Sequence, residues 1–258
     1  MSTVIYPSPV FGPVHSRRLG VSLGINLMPS DGKICTFDCI YCECGRNADR
    51  RPSQPRPTRQ QVRQQLYMRL EDMKLNGPEP NVITFAGNGE PTAHPEFAGI
   101  VDDVIELRNL FFPEAKVCVL SNATRVTVPD VFNALLKLDR NIQKLDTVNP
   151  EYISLIDNPV GSYDLERTIG ALASFKGHVI IQTMFLCGTL DGRDMDNTGD
   201  EYVLPWIETL KRIAPEQVLI YTVDRETPVS TLSKASHEAL DRIVGLLKQN
   251  GFNAQASY

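Results

Sequence analysis

Six apolar runs, each followed by a stretch with apolar residues at helical spacing, constrain this chain more than any other feature. The runs are Leu19 to Leu27, Val82 to Ala86, Val117 to Leu120, Ile142 to Val148, Val179 to Leu186 and Val218 to Val223. Several are too apolar to alternate, as expected of strands buried on both faces, so the chain reads as α/β with a parallel sheet covered by helices. Six right-handed strand–helix units make either an open doubly wound sheet or a partial (β/α)6 barrel, and element order alone leaves both open.

The helical stretches carry their own punctuation. A Pro-rich linker, Arg51 to Pro57, ends at Thr58, which with Gln61 forms a capping-box signature for a helix with Val62, Leu66, Leu70 and Met73 on one face. Further helices are expected from about Pro95, around Val131 to Leu138, and from Asp164, the last with Gly177 at its C′ position. A polar loop, Gly188 to Asp200, leads to a helix buried through Ile207, Leu210 and Ile213, and Ser233 to Gly251 forms the final helix. The expectation is one domain over residues 1–258: an N-terminal segment 1–18, the partial barrel 19–251 and a tail 252–258. At 42% hydrophobic composition, 258 residues suffice for a core of that size.

No stretch has the layout of a signal peptide and no apolar run approaches a bilayer span, so the chain reads as soluble and cytoplasmic, with no membrane partner. Four of the six cysteines cluster between Cys35 and Cys44, a pattern of metal binding more than of a disulfide framework. A net charge of -5 argues against non-specific nucleic-acid binding by the whole surface. Locally, seven arginines (46, 50, 51, 56, 59, 63 and 69) stand against the single acid Asp49 just after the cysteines. They make either a solvated face or a contact for phosphate or carboxylate beside a site.

In parallel α/β folds the site lies at the carboxyl ends of the strands, and those ends are rich here. After the first strand come Cys35, Cys39 and Cys42, whose C-x3-C-x2-C spacing can place three thiolates on three irons of one cubane cluster and leave the fourth open. A structural zinc loop completed by Cys44 or a histidine is the alternative. After the second strand comes Gly87-Asn88-Gly89-Glu90-Pro91-Thr92, with glycines for close ligand approach and a carboxylate for an amino group. Ser121 and Asn122 follow the third strand, Asp146 and Asn149 the fourth, and Gln182 is a polar residue inside the fifth. Cys44 is a bystander, a hydrogen-atom donor or an alternative ligand, and Cys187, at the mouth of the fifth strand, is a candidate catalytic thiol. Cys118 is most simply a core residue. His15, Arg17 and Arg18 close the sheet edge or contact substrate, and Tyr221, Asp224 and Arg225 are substrate-site candidates.

The chain resembles the radical S-adenosylmethionine (SAM) superfamily, through Cys35-x3-Cys39-x2-Cys42 with Tyr41 before the last cysteine and through Gly87-x-Gly89-Glu90-Pro91-Thr92 one strand later. The resemblance covers nearly the whole chain as a (β/α)6 partial barrel. Phe11-Gly12-Pro13-Val14 with Ser16-Arg17-Arg18-Leu19-Gly20, and Phe85 to Thr92, are similar to iron–sulfur oxidoreductases related to the wyosine-base-forming tRNA enzymes. The resemblance implies that Cys35, Cys39 and Cys42 ligate a 4Fe-4S cluster whose open iron is chelated by SAM. It implies that Gly89 and Glu90 hold the methionyl ammonium, with Gly87, Pro91 and Thr92 in the same cofactor-binding segment, and that the backbone near Tyr41 touches adenine; Ser121, Asn122 and Asp146 are placed by strand order as ribose contacts, and Gln182 as a further cofactor contact. A reductant such as flavodoxin or ferredoxin is implied as partner.

The substrate reads as a small molecule or peptide, from the acidic surface. A tRNA substrate is the alternative that the arginines and the subgroup resemblance support, although no cysteine precedes Cys35 to hold a second cluster of the wyosine type. A glycyl radical activase and a non-enzymatic metal-binding or electron-transfer module are the remaining readings.

Overall fold

A computed structural model describes residues 3–16 and 20–258. The expectations placed on Arg17, Arg18 and Leu19 lie outside the described residues. The chain runs β1 (Val10–Ser16), β2 (Gly20–Ile25), α1 (Arg59–Asn76), β3 (Val82–Phe85), α2 (Phe97–Phe111), β4 (Lys116–Ser121), α3 (Pro129–Leu135), β5 (Arg140–Lys144), α4 (Pro150–Ile156) and α5 (Leu165–Ala173). It continues through β6 (Ile180–Met184), β7 (Leu186–Leu190), β8 (Arg193–Asp194), α6 (Asp200–Ile213), β9 (Gln217–Tyr221), β10 (Leu232–Lys234), α7 (His237–Gln249) and β11 (Ala254–Ser257).

The large sheet has the order β1-β2-β3-β4-β5-β6-β9-β11, parallel throughout except for the antiparallel edge strand β1. The six expected strands are β2, β3, β4, β5, β6 and β9, in sequence order across the sheet. The sheet remains open, with β1 and β11 at its edges. One face carries Leu23, Ile25, Ile83, Phe85, Val117, Val119, Ile181, Val218 and Ile220 against buried residues of α1, α2, α3, α5, α6 and α7. Each such Leu, Ile, Val or Phe contributes about 1.5–3 kcal/mol on leaving water. The opposite face carries Val82, Cys118, Ile142, Ile180 and Leu219, one from each of five neighbouring strands, packed on one another with no helix between them. Cys118 is a fully buried member of this layer, as expected of a small core residue. The seventh helix, α4, lies instead with Tyr152 and Ile156 in a separate apolar cluster with Phe37, Ile40 and Tyr41.

Local signals set several boundaries. Thr58 accepts from the Gln61 amide at 3.2 Å while Gln61 returns a bond to Thr58, so the expected capping box starts α1. Asp164 caps α5 by accepting from the Arg167 amide at 3.0 Å. That helix stops at Ala173, so Gly177, at φ +92°, lies in the following turn and not at C′.

The remaining departures involve long-range pairing. Gly188 to Asp200 is no polar loop: β7 and β8 form a hairpin about Asp191-Gly192, both at positive φ, in a three-stranded sheet β10-β7-β8. Asp-Gly between pairing residues is a hairpin signal that the sequence does display. Leu232–Lys234 pairs with β7 instead of joining the last helix, which starts after Ser236, whose hydroxyl accepts from the Ala239 amide at 3.1 Å. The expected tail 252–258 contains β11, a seventh parallel strand docked on β9.

Candidate functional site

The three cysteines lie on the long connection between β2 and α1, above the carboxyl ends of the strands. Two sets of backbone bonds and one set of side-chain donors hold this loop. On one side Ile34 donates to the Asn88 carbonyl at 3.0 Å and accepts from the Glu90 amide at 3.2 Å, an isolated parallel bridge to Gly89. On the other, Asp38 donates to Asp157 O at 2.9 Å, Ile40 to Ile156 O at 3.0 Å, and Val160 to Thr36 O at 2.9 Å. Outside, Asn47 Nδ2 donates to the carbonyls of Cys35 and Phe37, and Arg46 donates to Asp38 O at 2.6 Å. Two buried asparagines that the sequence reading passed over tie in the N-terminal segment. Asn88 Nδ2 donates to Tyr6 O and Pro29 O, both at 2.9 Å, and Asn26 Oδ1 accepts from the Met28 and Asn88 amides.

The segment Gly87 to Thr92 is held from within. A Cβ at Gly89 would lie 1.8 Å from Ile34 O, and one at Gly87 would lie 2.6 Å from the Asn26 side chain, with both residues at positive φ. The glycines therefore serve close approach of the chain to itself, beside whatever a ligand requires. Glu90 is buried; its Oε1 accepts from the Thr92 amide (3.0 Å) and hydroxyl (2.5 Å), and its Oε2 from the Asn122 amide (2.7 Å). Burial raises its pKa against the lowering effect of these donors. Pro91 opens the 3-10 turn Pro91–Ala93 that Glu90 caps. The Glu90 carboxylate, expected to meet an amino group, is thus engaged within the fold, and the carbonyls of Gly87, Asn88, Glu90 and Pro91 accept amides of the protein as well.

Around the thiols, Asn122 Nδ2 lies 3.6 Å from Cys35 Sγ and 2.9 Å from Thr36 Oγ1, and Cys39 Sγ lies 3.7 Å from Asp157 Oδ1. Ser121 is buried, its hydroxyl accepting from the Ala123 amide at 3.1 Å. Lys33, unremarked in the sequence reading, has a side chain only 1% exposed and donates to Gly45 O at 2.7 Å. Burial works against its charge, but Cys42, Cys35, Cys39 and Asp38 raise its pKa overall. Burial pushes the Cys35 thiol up to about 12, whereas a hydrogen bond from Cys44 and the Lys33 charge bring Cys42 down to about 5. Cys44 is buried, with Sγ 3.5 Å from Gly87 O, between the cysteine loop and the glycine segment. Three thiols on one pinned loop, an amide donor aimed at one sulfur and a buried cation beside them fit an anionic iron–sulfur group.

Below the loop a buried polar cluster joins four elements. Tyr41 Oη donates to Asp146 Oδ2 and accepts from Lys144 Nζ; Lys144 also lies 3.5 Å from Asp146 Oδ2 and 3.1 Å from Tyr221 Oη. Asp146 Oδ1 accepts from the Met184 amide at 2.8 Å, so protein donors engage both of its oxygens. Burial, then the Asp146 charge, raise Asp157 well above the carboxylate range. Gln182 neighbours Lys144 in the parallel register. The sequence offered a faint signal for Lys144: a charged residue inside the run Ile142 to Val148, where β5 ends.

Other candidates fall outside this cluster. Cys187 packs against the helix-side core, its pKa pushed up to about 11 by burial and Asp196, while its neighbour Leu186 faces the apolar cluster under the cysteine loop. Asn149 caps α4 by accepting from the Glu151 and Tyr152 amides. His15 lies on the edge strand β1, as the edge-closing reading expects. Asp224 pairs with Lys234 at 2.9 Å, and Arg225 reaches Glu43, between Cys42 and Cys44, at 2.7 Å. The arginine patch is partly neutralised: Arg59 and Arg63 pair with Asp103 and Glu106 of α2, and Arg69 lies 3.9 Å from Asp72.

Comparison with known proteins bears on this arrangement. The chain is 30% identical over 241 residues to a UPF0026 protein of Helicobacter pylori (strain 26695), covering 91% of this chain and 72% of that one. It is 28% identical to a protein named GTPase Obg from Brachyspira hyodysenteriae, covering 90% of this chain but only 32% of that relative's length. Among solved structures, a radical SAM methyltransferase from Sphaerobacter thermophilus superposes with TM-score 0.66 at 15% identity, over 92% of this chain and 66% of that one. Streptococcus suis SuiB bound to S-adenosylmethionine gives 0.64 at 13%, over 91% and 50%. An archaeal TYW1 gives 0.51 at 14%, over 89% and 72%. These likenesses identify the open sheet with the fold of radical SAM enzymes. The radical SAM superfamily model matches residues 30–200, which carry both the cysteine loop and the Gly87 to Thr92 turn. The chain belongs to the radical SAM superfamily, which uses a 4Fe-4S cluster and S-adenosylmethionine.

Proposed function

We propose that this chain holds a 4Fe-4S cluster on Cys35, Cys39 and Cys42 and cleaves SAM reductively to act on a small-molecule or peptide substrate, as a single domain of the cytoplasm. The observation that carries the reading is the bridge between Ile34 and Gly89, which ties the cysteine loop to the glycine segment. When bound, the reduced cluster supplies an electron that splits the sulfonium carbon–sulfur bond of SAM into methionine and a 5′-deoxyadenosyl radical able to take hydrogen from substrate.

This chain's own residues do the rest. The segment Gly87 to Thr92 receives the methionyl ammonium at the Gly89 carbonyl, with Glu90, Pro91 and Thr92 fixing its direction. Asn122 orients the Cys35 sulfur through its amide, and Ser121 and Asn122 fix the turn after β4 beside it. Asp146, with both oxygens already engaged, positions Tyr41 and Lys144. Tyr41, Lys144, Tyr221 and Gln182 lie beside the cysteine loop as candidate substrate contacts. Pairing of Arg59, Arg63 and Arg69 with acids supports a small-molecule or peptide substrate over tRNA, because those guanidiniums are committed within the fold. A flavodoxin or ferredoxin is the fitting reductant.

Anaerobic reconstitution is expected to load about four irons per chain, the content of one cubane cluster; a value near eight would exclude a single site. Reduced enzyme incubated with fractionated extract should form deoxyadenosine above background with small-molecule or peptide pools. Stimulation by the tRNA pool alone would overturn that substrate class. Cys44→Ala should keep the cluster's visible absorption, since Cys44 Sγ is directed at the Gly87 carbonyl. Loss of that absorption would instead make Cys44 a ligand.

A further inference from the structure

We infer that Lys33 is a fixed countercharge to the cluster: its ammonium stabilises the reduced cluster and sets the potential at which the electron is accepted. The inference rests on the reading of Cys35, Cys39 and Cys42 as ligands.

A lysine ammonium is almost never fully buried unless paired, because removing it from water is costly. The Lys33 side chain is 1% exposed, and its partners within the protein are weak ones for a full charge. The Gly45 carbonyl accepts at 2.7 Å and is neutral. Asp38 Oδ1 lies 3.4 Å away, a long contact, and that oxygen already accepts the Asn47 amide at 2.7 Å. The other titratable groups close enough to act on Lys33 are the thiols of Cys42, Cys35 and Cys39, with Cys42 acting most strongly. The protein thus seats a cation among three thiols that become thiolates when they hold iron.

The ammonium cannot easily move away. The Lys33 amide donates to Arg50 O at 2.7 Å, and a Cβ on the preceding Gly32 would lie 2.5 Å from the same carbonyl. Both ends of the residue are therefore anchored to the loop that wraps the cysteines. Reduction adds one electron, hence one negative charge, beside this fixed positive one. In a low-dielectric surrounding the attraction favours the reduced form, and net charge near a cluster is among the factors that set its potential. No proton need move, since the ammonium stays charged in both states.

The test is a potentiometric titration of the reconstituted enzyme, with the reduced cluster counted by electron paramagnetic resonance. Lys33→Met should make reduction at least tenfold less favourable, a midpoint lower by 59 mV or more for one electron, and Lys33→Arg should restore most of the shift. Asp38→Asn, which removes an anion from the same surroundings, should raise the midpoint. If Lys33→Met takes up no iron, the Asp38→Asn shift decides. A midpoint unchanged or lowered in Asp38→Asn, or unchanged in Lys33→Met, overturns the inference. Failure of the wild-type protein to assemble any cluster would instead overturn the function proposed above, so the two failures are distinguishable.

Discussion

Cys39→Ala is expected to lose the cluster and, with it, all cleavage of SAM. Cys39 is the most enclosed of the three proposed ligands, 8% exposed, on a loop whose backbone is bonded on both sides of it at Asp38 and Ile40. That anchoring prevents a neighbouring thiol from swinging into its place. Cys44, the nearest spare in sequence, is buried beside Cys42 with its Sγ 3.5 Å from the Gly87 carbonyl. Iron per chain after anaerobic reconstitution should fall well below the wild-type value, and the visible absorption should disappear. Cys118→Ala is the control, since it deletes a buried thiol from the sheet and leaves the loop alone. Retention of about four irons in Cys39→Ala would refute the ligand assignment, whereas equal loss in Cys118→Ala would point to unfolding.

Gly89→Ala should separate the two halves of the site. The new Cβ would fall 1.8 Å from Ile34 O and 2.5 Å from Ile34 C, with backbone on both sides and no flexible side chain to yield. Its φ of +136° adds strain of about 1–3 kcal/mol for a residue with a side chain. Relieving the clash means opening the bridge and losing two buried backbone hydrogen bonds, each worth about 1 kcal/mol. A total cost of about 3–5 kcal/mol corresponds to a fall in Tm of roughly 6–20 °C for a chain of this size, with impaired cluster loading. Gly170→Ala is the matched control: it lies in α5 with open space where its Cβ would go, so it should melt at or slightly above wild type. Normal melting and full iron content in Gly89→Ala would show that the bridge does not organise the site.

These two substitutions fall on opposite sides of what could be read from the chain. Cys39 was legible because a metal site in a loop depends on residue type and spacing, and both are written in the sequence. The Gly87 to Thr92 segment was legible as part of the site, but the reason for its glycines was not. Ligand approach was expected; the structure shows close approach to Ile34 and Asn26, residues distant in sequence that meet only when β2 and β3 pair. Asp146 was likewise found at a strand end, while its engagement by Tyr41, Lys144 and the Met184 amide depends on three other segments.

The parallel sheet and its outer helices followed from local information, because buried strands and amphipathic helices must be apolar at fixed periods wherever they pack. The small sheet β10-β7-β8, the edge strand β1 and the seventh parallel strand β11 did not, since each exists through pairing with a partner that sequence periodicity does not specify. The same division runs through the charges. The composition displayed an arginine-rich stretch, but only the packing of α1 on α2 brought Asp103 and Glu106 to Arg59 and Arg63 and so neutralised part of that patch. Conversely, Lys33 looked like any surface lysine until the loop closed over it. The sequence by itself determined the strand–helix order, the three thiols and the superfamily. Tertiary structure alone decided which charges are buried beside them, because burial and pairing are properties of segments brought together and not of the segments themselves.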